Sequence, residues 1–120
     1  MMKIVCGMMF RQRDIVLVKF PFTNLEYFKK RPVLVISGDS FNSKTSDIIV
    51  CGITSNLSHK DFCVLINDDD LLDGSLIKES IVKTSHIATL SKSIVIKKVG
   101  TVRHDVMEHI LEELNNVLRT

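Results

Sequence analysis

The sequence predicts a mainly β protein of the α+β class, a small antiparallel barrel with one amphipathic helix packed against it at the C-terminal end. Short runs rich in β-branched residues alternate with turn-rich segments up to residue 99. Only after residue 105 does the apolar period become helical. Since 120 residues suit one core better than two, we expect a single domain over residues 1–120, with residues 1–11 as a loosely ordered extension.

The first predicted strand covers residues 14–20, with the sequence DIVLVKF. Val16 and Val18 share one face of this strand, together with Phe20, while Ile15 and Leu17 occupy the other. Apolar residues on both faces indicate a strand that is covered twice, by the core and by a helix or a partner chain.

Later strands follow at similar spacing. The predicted ranges are Val33–Ser37, Asp47–Ile53, Phe62–Ile66, Ser80–Thr84 and Ser93–Val99. Pro32 is expected to open the second strand and Gly100 to mark the end of the last one. Residues 38–46 are expected to form a loop or a short helix, and residues 67–70 a turn.

The final helix is predicted from a stripe of seven apolar residues after residue 105. The stripe consists of Val106, Met107, Ile110, Leu111, Leu114, Val117 and Leu118. Asp105 followed by Glu108 fits an N-cap with a capping box, so the helix is expected to start there. The one-sided helix and the doubly apolar first strand leave more apolar surface than one small barrel covers, which favours a homodimer.

Composition and cysteine usage restrict the class of protein. A hydrophobic content of 45% with 25% charged residues is typical of a folded globular chain. No apolar run approaches the roughly 18 residues needed to cross a bilayer, and no cleavage site follows the first methionines, so neither a membrane span nor a signal peptide is expected. Three cysteines without CxxC spacing suit a reducing compartment, and we expect a cytoplasmic protein.

Common catalytic motifs are absent from the sequence. Its four histidines lack HExxH or His/Cys zinc spacing, and neither GxSxG nor GxxxxGK[ST] occurs. The aspartates at positions 68–70 are interpreted as a solvated turn, because no glycine or distal glutamate completes a calcium loop. We therefore expect neither a metal nor a cofactor.

Charge is distributed unevenly along the chain. Residues 1–44 contain eight Lys or Arg residues against three acidic residues, a local net charge of +5 in a chain of net charge +2. Such asymmetry is compatible with a basic face for a polyanion, although an ordinary solvated surface also accounts for it.

Four blocks of the sequence resemble the MazF/PemK toxins of bacterial toxin–antitoxin pairs. In chain order the blocks are FPFTNLEYFKKRPVLVIS, DIIVCGITSN, DGSLIKESIVKTSHIATLSKS and KKVG. The resemblance covers roughly residues 12–118. It implies an SH3-like barrel, a homodimer, sequence-specific and metal-independent cleavage of single-stranded RNA that inhibits translation and growth, and neutralisation by a cognate antitoxin whose tail lies across the RNA site.

The resemblance also implies two catalytic residues. The family's catalytic arginine lies in an RP pair, here Arg31, and its catalytic threonine closes an IT pair, here Thr54. A guanidinium offers a planar set of donors that matches phosphate oxygens, so Arg31 suits stabilisation of charge on the reacting phosphate. Thr54 is a poor base and is expected to hydrogen-bond the phosphate or the 2′-hydroxyl. The groups that carry protons are left open.

Further RNA contacts are expected around this pair. The candidate RNA-binding residues are Arg13, Phe22, Lys29, Lys30, Ser55, Asn56, Ser80 and His86. The cations would attract phosphates, and Phe22 would stack on a base unless it belongs to the core. His86 would either contact RNA or be a structural or exposed histidine without a role in binding. Ser80 lies where the family has a Pro-Ser pair, but here Glu79 replaces the proline.

A second class of function also fits the predicted fold. The same barrel can serve as a non-catalytic module that binds a protein or nucleic-acid partner, as gyrase-poisoning toxins do, because a fold does not determine function. The presence of both Arg31 and Thr54 favours the nuclease.

Overall fold

The structure, a computed structural model, describes residues 9–21 and 28–119, with only the backbone of residues 20, 21 and 28. The described residues form seven strands, two α-helices and two short 3₁₀ turns, at Asp68–Asp70 and Lys92–Ile94. The strands are β1 (Asp14–Pro21), β2 (Phe28–Val35), β3 (Asp47–Thr54), β4 (Cys63–Ile66), β5 (Leu71–Gly74), β6 (Ser80–Ser91) and β7 (Val95–Val102). The helices are α1 (Asp39–Lys44) and α2 (His104–Leu118).

All seven strands belong to one antiparallel sheet in the order β4-β6-β3-β2-β1-β7-β5. The sheet curls into a half-barrel that α2 closes from the C-terminal end, so the predicted fold class is confirmed. The predicted extension falls partly outside the described residues, which begin at Met9. Within them, Phe10 packs against buried valines of the sheet.

Strand β1 is buried on both faces, as its sequence predicts. Ile15 belongs to an apolar cluster between the sheet and α2, whereas Val16 and Val18 belong to a second cluster on the other face. The second cluster consists of Val16, Val18, Val33, Val35, Ile48 and Val50, each at most 1% exposed. One sheet therefore separates two cores, which explains why β1 and the second half of β2 carry almost continuous apolar sequence.

Helix α2 contributes Val106, Met107 and Ile110 to the first cluster, while Leu118 at the end of the predicted stripe is 70% exposed. The predicted N-cap at Asp105 is wrong. The N-cap residue is Arg103, which makes no side-chain cap and instead holds the Asp105 carboxylate at 2.6 Å. That hydrogen bond lowers the pKa of Asp105 and raises the pKa of Arg103.

Several boundaries differ from the sequence-based expectation. Pro32 does not open β2, which begins at Phe28 because residues 28–32 continue the antiparallel pairing with β1. Strand β7 begins at Val95, since Lys92–Ile94 form a 3₁₀ turn.

Gly100 does not end a strand, because it lies inside β7. There it pairs with Gly74 of β5, and the backbones of the two strands approach each other closely. Strand β6 extends to Ser91 because its second half pairs with the first half of β3. Strand β5 was not predicted from the sequence, because its four residues are too few to show an alternating pattern.

The described cysteines, Cys51 and Cys63, are free thiols. Burial raises the pKa of Cys51 to about 11, so the thiol stays protonated at neutral pH and packs as a small apolar side chain. No helix within the described residues is long and apolar enough to span a membrane.

Gly74→Ala is expected to lower the free energy of unfolding by roughly 2 kcal/mol or more, because an L side chain in the left-handed region is strained. Gly74 has φ +83°, and an added Cβ would lie 2.2 Å from the carbonyl oxygen of Val99. The matched control is Gly38→Ala, where an added Cβ meets no atom within 4 Å, and which should change stability by less than about 1 kcal/mol. Urea unfolding compares the two variants, and equal stabilities would contradict the prediction.

Candidate functional site

A groove of about 650 Å³ lies where the ends of β1, β2 and β3 face the segment between β5 and β6 and the strand β7. Leu17, Pro32, Ile53 and Val99 form part of its wall. Leu76 and Ile77 add to this apolar part, polar and charged side chains line the remainder, and six of the ten site residues predicted from the sequence are among the latter. These six are Lys29, Lys30, Arg31, Thr54, Ser55 and Ser80.

Arg31 and Thr54 occupy corresponding positions on neighbouring strands. The antiparallel ladder between β2 and β3 ends at the pair Val33–Gly52. Arg31 lies two residues beyond Val33, and Thr54 two residues beyond Gly52, so both follow the last pair of this ladder by the same number of residues. Both line the groove, and the fold thus brings together two residues that are 23 positions apart in the sequence.

The Thr54 side chain is held by the turn that follows β3. Its Oγ1 accepts a hydrogen bond from the backbone N–H of Asn56 at 3.1 Å, and the Asn56 side chain accepts one from the N–H of Ser58 at 3.1 Å. The Thr54 oxygen accepts in this turn, and its hydroxyl proton is still available to donate.

Cations dominate the groove. Six of its lining residues are basic and none is acidic: Lys29, Lys30, Arg31, Lys78, Lys97 and Lys98. Lys98 alone of these has an ion pair among the described residues, at 3.4 Å from the buried Asp14, which also accepts a hydrogen bond from Thr101. Low-dielectric walls around charges of one sign focus the potential, so the groove should attract a polyanion.

Ser80 lies in the groove wall and is buried, with its hydroxyl donating to the carbonyl of Lys78 at 3.0 Å. This hydrogen bond positions the Ser80 side chain, although the residue before it is not the proline that the family has there. Glu79, which replaces that proline, lies beside a neighbouring cavity with Asp68 and Asp69 and is not among the residues lining the groove.

Of the other four predicted site residues, the three that the structure describes do not line the groove. Arg13 adopts φ +87° and donates from its guanidinium to the carbonyl of Val102 at 3.0 Å, which ties β1 to the end of β7. Asn56 shapes the turn after Thr54. His86 is exposed on β6, and Phe22 lies outside the described residues.

Lys78, Lys97 and Lys98 line the groove but were not predicted as site residues. All three come from the half of the chain whose net charge is negative, so the charge count along the sequence pointed away from them. Lys97 and Lys98 belong to the KKVG block of the sequence. That block does not predict their position in the groove, because the position depends on the pairing of β7 with β1. No group of three or more potential metal ligands is found among the described residues.

The fold and the groove together define a curled β half-barrel with a cationic cleft at the ends of its strands. Residues 11–118 match the family described as PemK-like, MazF-like toxin of type II toxin–antitoxin system. The chain therefore belongs to this toxin family. Among curated proteins, no sequence matches the chain.

Solved structures with similar folds agree with the family. A MazE–MazF structure from Deinococcus radiodurans has a TM-score of 0.76 and 21% identity, covering 93% of this chain and 97% of that one. An endoribonuclease in complex with its cognate antitoxin from a Mycobacterial species has a TM-score of 0.72 and 21% identity, covering 90% and 93%. Mycobacterium tuberculosis toxin MazF-mt6 has a TM-score of 0.71 and 19% identity, covering 88% and 96%.

Proposed function

We propose that this toxin is a metal-independent endoribonuclease that cleaves single-stranded RNA by attack of the substrate's own 2′-hydroxyl. The observation that carries the proposal is the meeting of Arg31 and Thr54 in a groove lined by six basic residues. A phosphodiester passing between these two side chains would meet a fixed cation and a hydroxyl donor together.

The chemistry needs charge stabilisation above all. When the 2′-oxygen attacks phosphorus, negative charge grows on the non-bridging oxygens, and donors already directed at those oxygens stabilise the transition state. Arg31 supplies a permanent charge with parallel N–H donors, and Thr54 supplies a hydroxyl held by the Asn56 turn. Neither residue requires a metal for this role.

Single-stranded RNA suits the groove in charge and size. Lys29 and Lys30 precede Arg31 along β2 and line the same groove, so they would attract the phosphates next to the scissile one. Ser55 and Ser80 offer hydroxyl groups in the wall, and Phe22 and Asn56 belong to segments that border it in sequence. An unpaired strand can splay its bases outward and leave its phosphates to the basic side chains.

Partners follow from the relatives. The Deinococcus and Mycobacterial structures are complexes with MazE and with a cognate antitoxin. We extend this to the present chain as an antitoxin whose tail covers the cationic groove, and as a homodimer in solution. Size-exclusion chromatography with light scattering tests the dimer, and a monomer at micromolar concentration would contradict it.

The nuclease proposal is tested by incubating the purified protein with single-stranded RNA in excess EDTA and mapping the new ends. Cleavage with a 2′,3′-cyclic phosphate or its hydrolysis product, and a 5′-hydroxyl on the other fragment, is the expected result. No cleavage of any RNA by folded protein would favour a non-catalytic binding module, and cleavage abolished by EDTA would contradict the metal-independent mechanism.

Lys97→Gln is expected to weaken RNA binding and reduce its salt dependence, with the slope of log K against log salt concentration falling by about 1. Lys97 is exposed, lines the groove and lies opposite Leu17 in the β1–β7 ladder. Fluorescence anisotropy with 2′-O-methyl RNA, which cannot be cleaved, measures the slope. Lys44→Gln on α1, outside the groove, is the control, and equal slopes for wild type and Lys97→Gln would remove Lys97 from the RNA path.

A further inference from the structure

Strand β6 carries a three-residue bulge beside the Arg31–Thr54 pair. Lys83 pairs with Gly52 of β3, yet Ile87 pairs with the adjacent Cys51, so Thr84, Ser85 and His86 have no partner residues on β3. Bulges redirect side chains and are common next to active sites. Here the bulge sets the position of His86.

Gly52 makes room for the His86 side chain. A Cβ added at Gly52 would lie 3.7 Å from the Cβ of His86, so the histidine side chain begins directly over the glycine. A methyl group at Gly52 would make an ordinary van der Waals contact with His86, so the two residues are direct neighbours across the strands. The absence of a side chain on β3 at this point lets a β6 side chain lean over β3.

His86 lies over the face of the sheet that carries Arg31 and Thr54. Side chains two residues apart on a strand share a face and are separated by about 7 Å, so Gly52 and Thr54 point the same way. Val33 is opposite Gly52, and Arg31 is the next residue of β2 on that same face. The Cβ of His86, which lies over Gly52, is therefore about one such step along β3 from Thr54, beside the groove and not in its wall.

The bulge is held in place by the loop before β4. The carbonyl of Phe62 accepts two hydrogen bonds from Thr84, one from its backbone N–H at 3.1 Å and one from its hydroxyl at 2.7 Å. Thr84 is fully buried, and Phe62 adopts φ +56° to present this carbonyl. These contacts fix the backbone two residues before His86, while the imidazole itself stays exposed to an incoming substrate.

The surroundings of His86 keep it uncharged at neutral pH. Desolvation, then the positive charges of Lys83 on the same strand and of His59 in the loop after β3, lower the pKa of His86 below its ordinary value of about 6.5. A neutral imidazole accepts protons, whereas an imidazolium does not.

We propose that His86 is the general base of the RNA cleavage, on the face shared with Arg31 and Thr54. The inference rests on the proposed nuclease function and supplies the proton acceptor that Arg31 and Thr54 lack. The neutral imidazole removes the proton of the 2′-hydroxyl, the 2′-oxygen forms a bond to phosphorus, and the bond from phosphorus to the 5′-oxygen breaks. The leaving 5′-oxygen takes a proton from water in the open groove, and His86 later returns its proton to solvent.

The test is the pH dependence of single-turnover cleavage by wild type and variants. In the wild type the rate should fall as pH drops through the pKa of His86, because the imidazole becomes protonated. We call this fall in rate at low pH the acid limb of the profile. His86→Gln should cleave about 10²-fold more slowly than wild type near neutral pH and should show no acid limb. Lys83→Met and His59→Gln each remove a charge that lowers the pKa of His86, so their acid limbs should move to higher pH.

His104→Gln at the start of α2 is the matched control and should leave both rate and limb unchanged. An acid limb that persists in His86→Gln, or limbs that do not move in Lys83→Met and His59→Gln, would overturn the role of His86 while leaving the nuclease intact. A wild-type protein that cuts no RNA at any pH would instead overturn the proposed function. Thermal unfolding of each variant confirms that rates are compared between folded proteins.

Discussion

Arg31→Ala is expected to reduce the rate of RNA cleavage by about 10²- to 10³-fold, the loss seen when one donor to developing negative charge is removed. Arg31 lies beyond the end of the β2–β3 ladder and lines the groove together with Thr54 and five lysines, which the substitution leaves in place. Because those lysines remain, RNA should still bind, and the loss should appear in single-turnover rate more than in affinity.

The fold should tolerate this change. No hydrogen bond or ion pair ties the Arg31 side chain to other described residues, so Arg31→Ala should unfold at nearly the wild-type temperature. Arg31→Lys keeps the charge without the planar set of donors and should recover only part of the rate. Arg119→Ala, at the exposed end of α2, is the matched control. Cleavage by Arg31→Ala at the wild-type rate would remove Arg31 from the catalytic centre.

The strands were predictable where burial leaves a pattern in the sequence. β1 and the second half of β2 lie between two cores, so their apolar residues are almost uninterrupted and their assignment is confirmed. The short strand β5 and the long second half of β6 follow from pairing with distant partners. The sequence predicts that Gly100 ends a strand. In the structure this glycine instead allows β5 to approach β7, and that pairing joins segments that are distant in the sequence.

The site was predictable to the extent that it rests on motifs. The RP and IT pairs identified Arg31 and Thr54, and the structure places both in one groove. Lys97 could not be found from local sequence because its position depends on the ladder between β1 and β7. Arg13 has the charge expected of an RNA contact, but a carbonyl at the end of β7 takes up its guanidinium. Charge along a chain predicts a surface poorly when the sheet joins distant segments.

Ile110→Ala is expected to lower the free energy of unfolding by about 2–5 kcal/mol, since truncation of a buried aliphatic side chain loses its transfer energy and leaves a cavity. Ile110 is fully buried in the cluster between α2 and the concave sheet. The close-packed neighbours, among them Ile66 and Val82 on strands β4 and β6, cannot move inward without breaking their pairing. Denaturant unfolding of the purified variant measures the change.

Leu118→Ala is the matched control for Ile110→Ala, because the sequence places both residues on one apolar stripe. The Leu118 side chain is 70% exposed at the last turn of α2, so its truncation should change the stability of the isolated chain by less than about 0.5 kcal/mol. A loss at Leu118 as large as that at Ile110 would show that the end of α2 is buried in solution, as the proposed homodimer permits. In that event the loss of stability at Leu118→Ala should become smaller as the protein concentration falls, because residue 118 is exposed in the dissociated chains of wild type and variant alike.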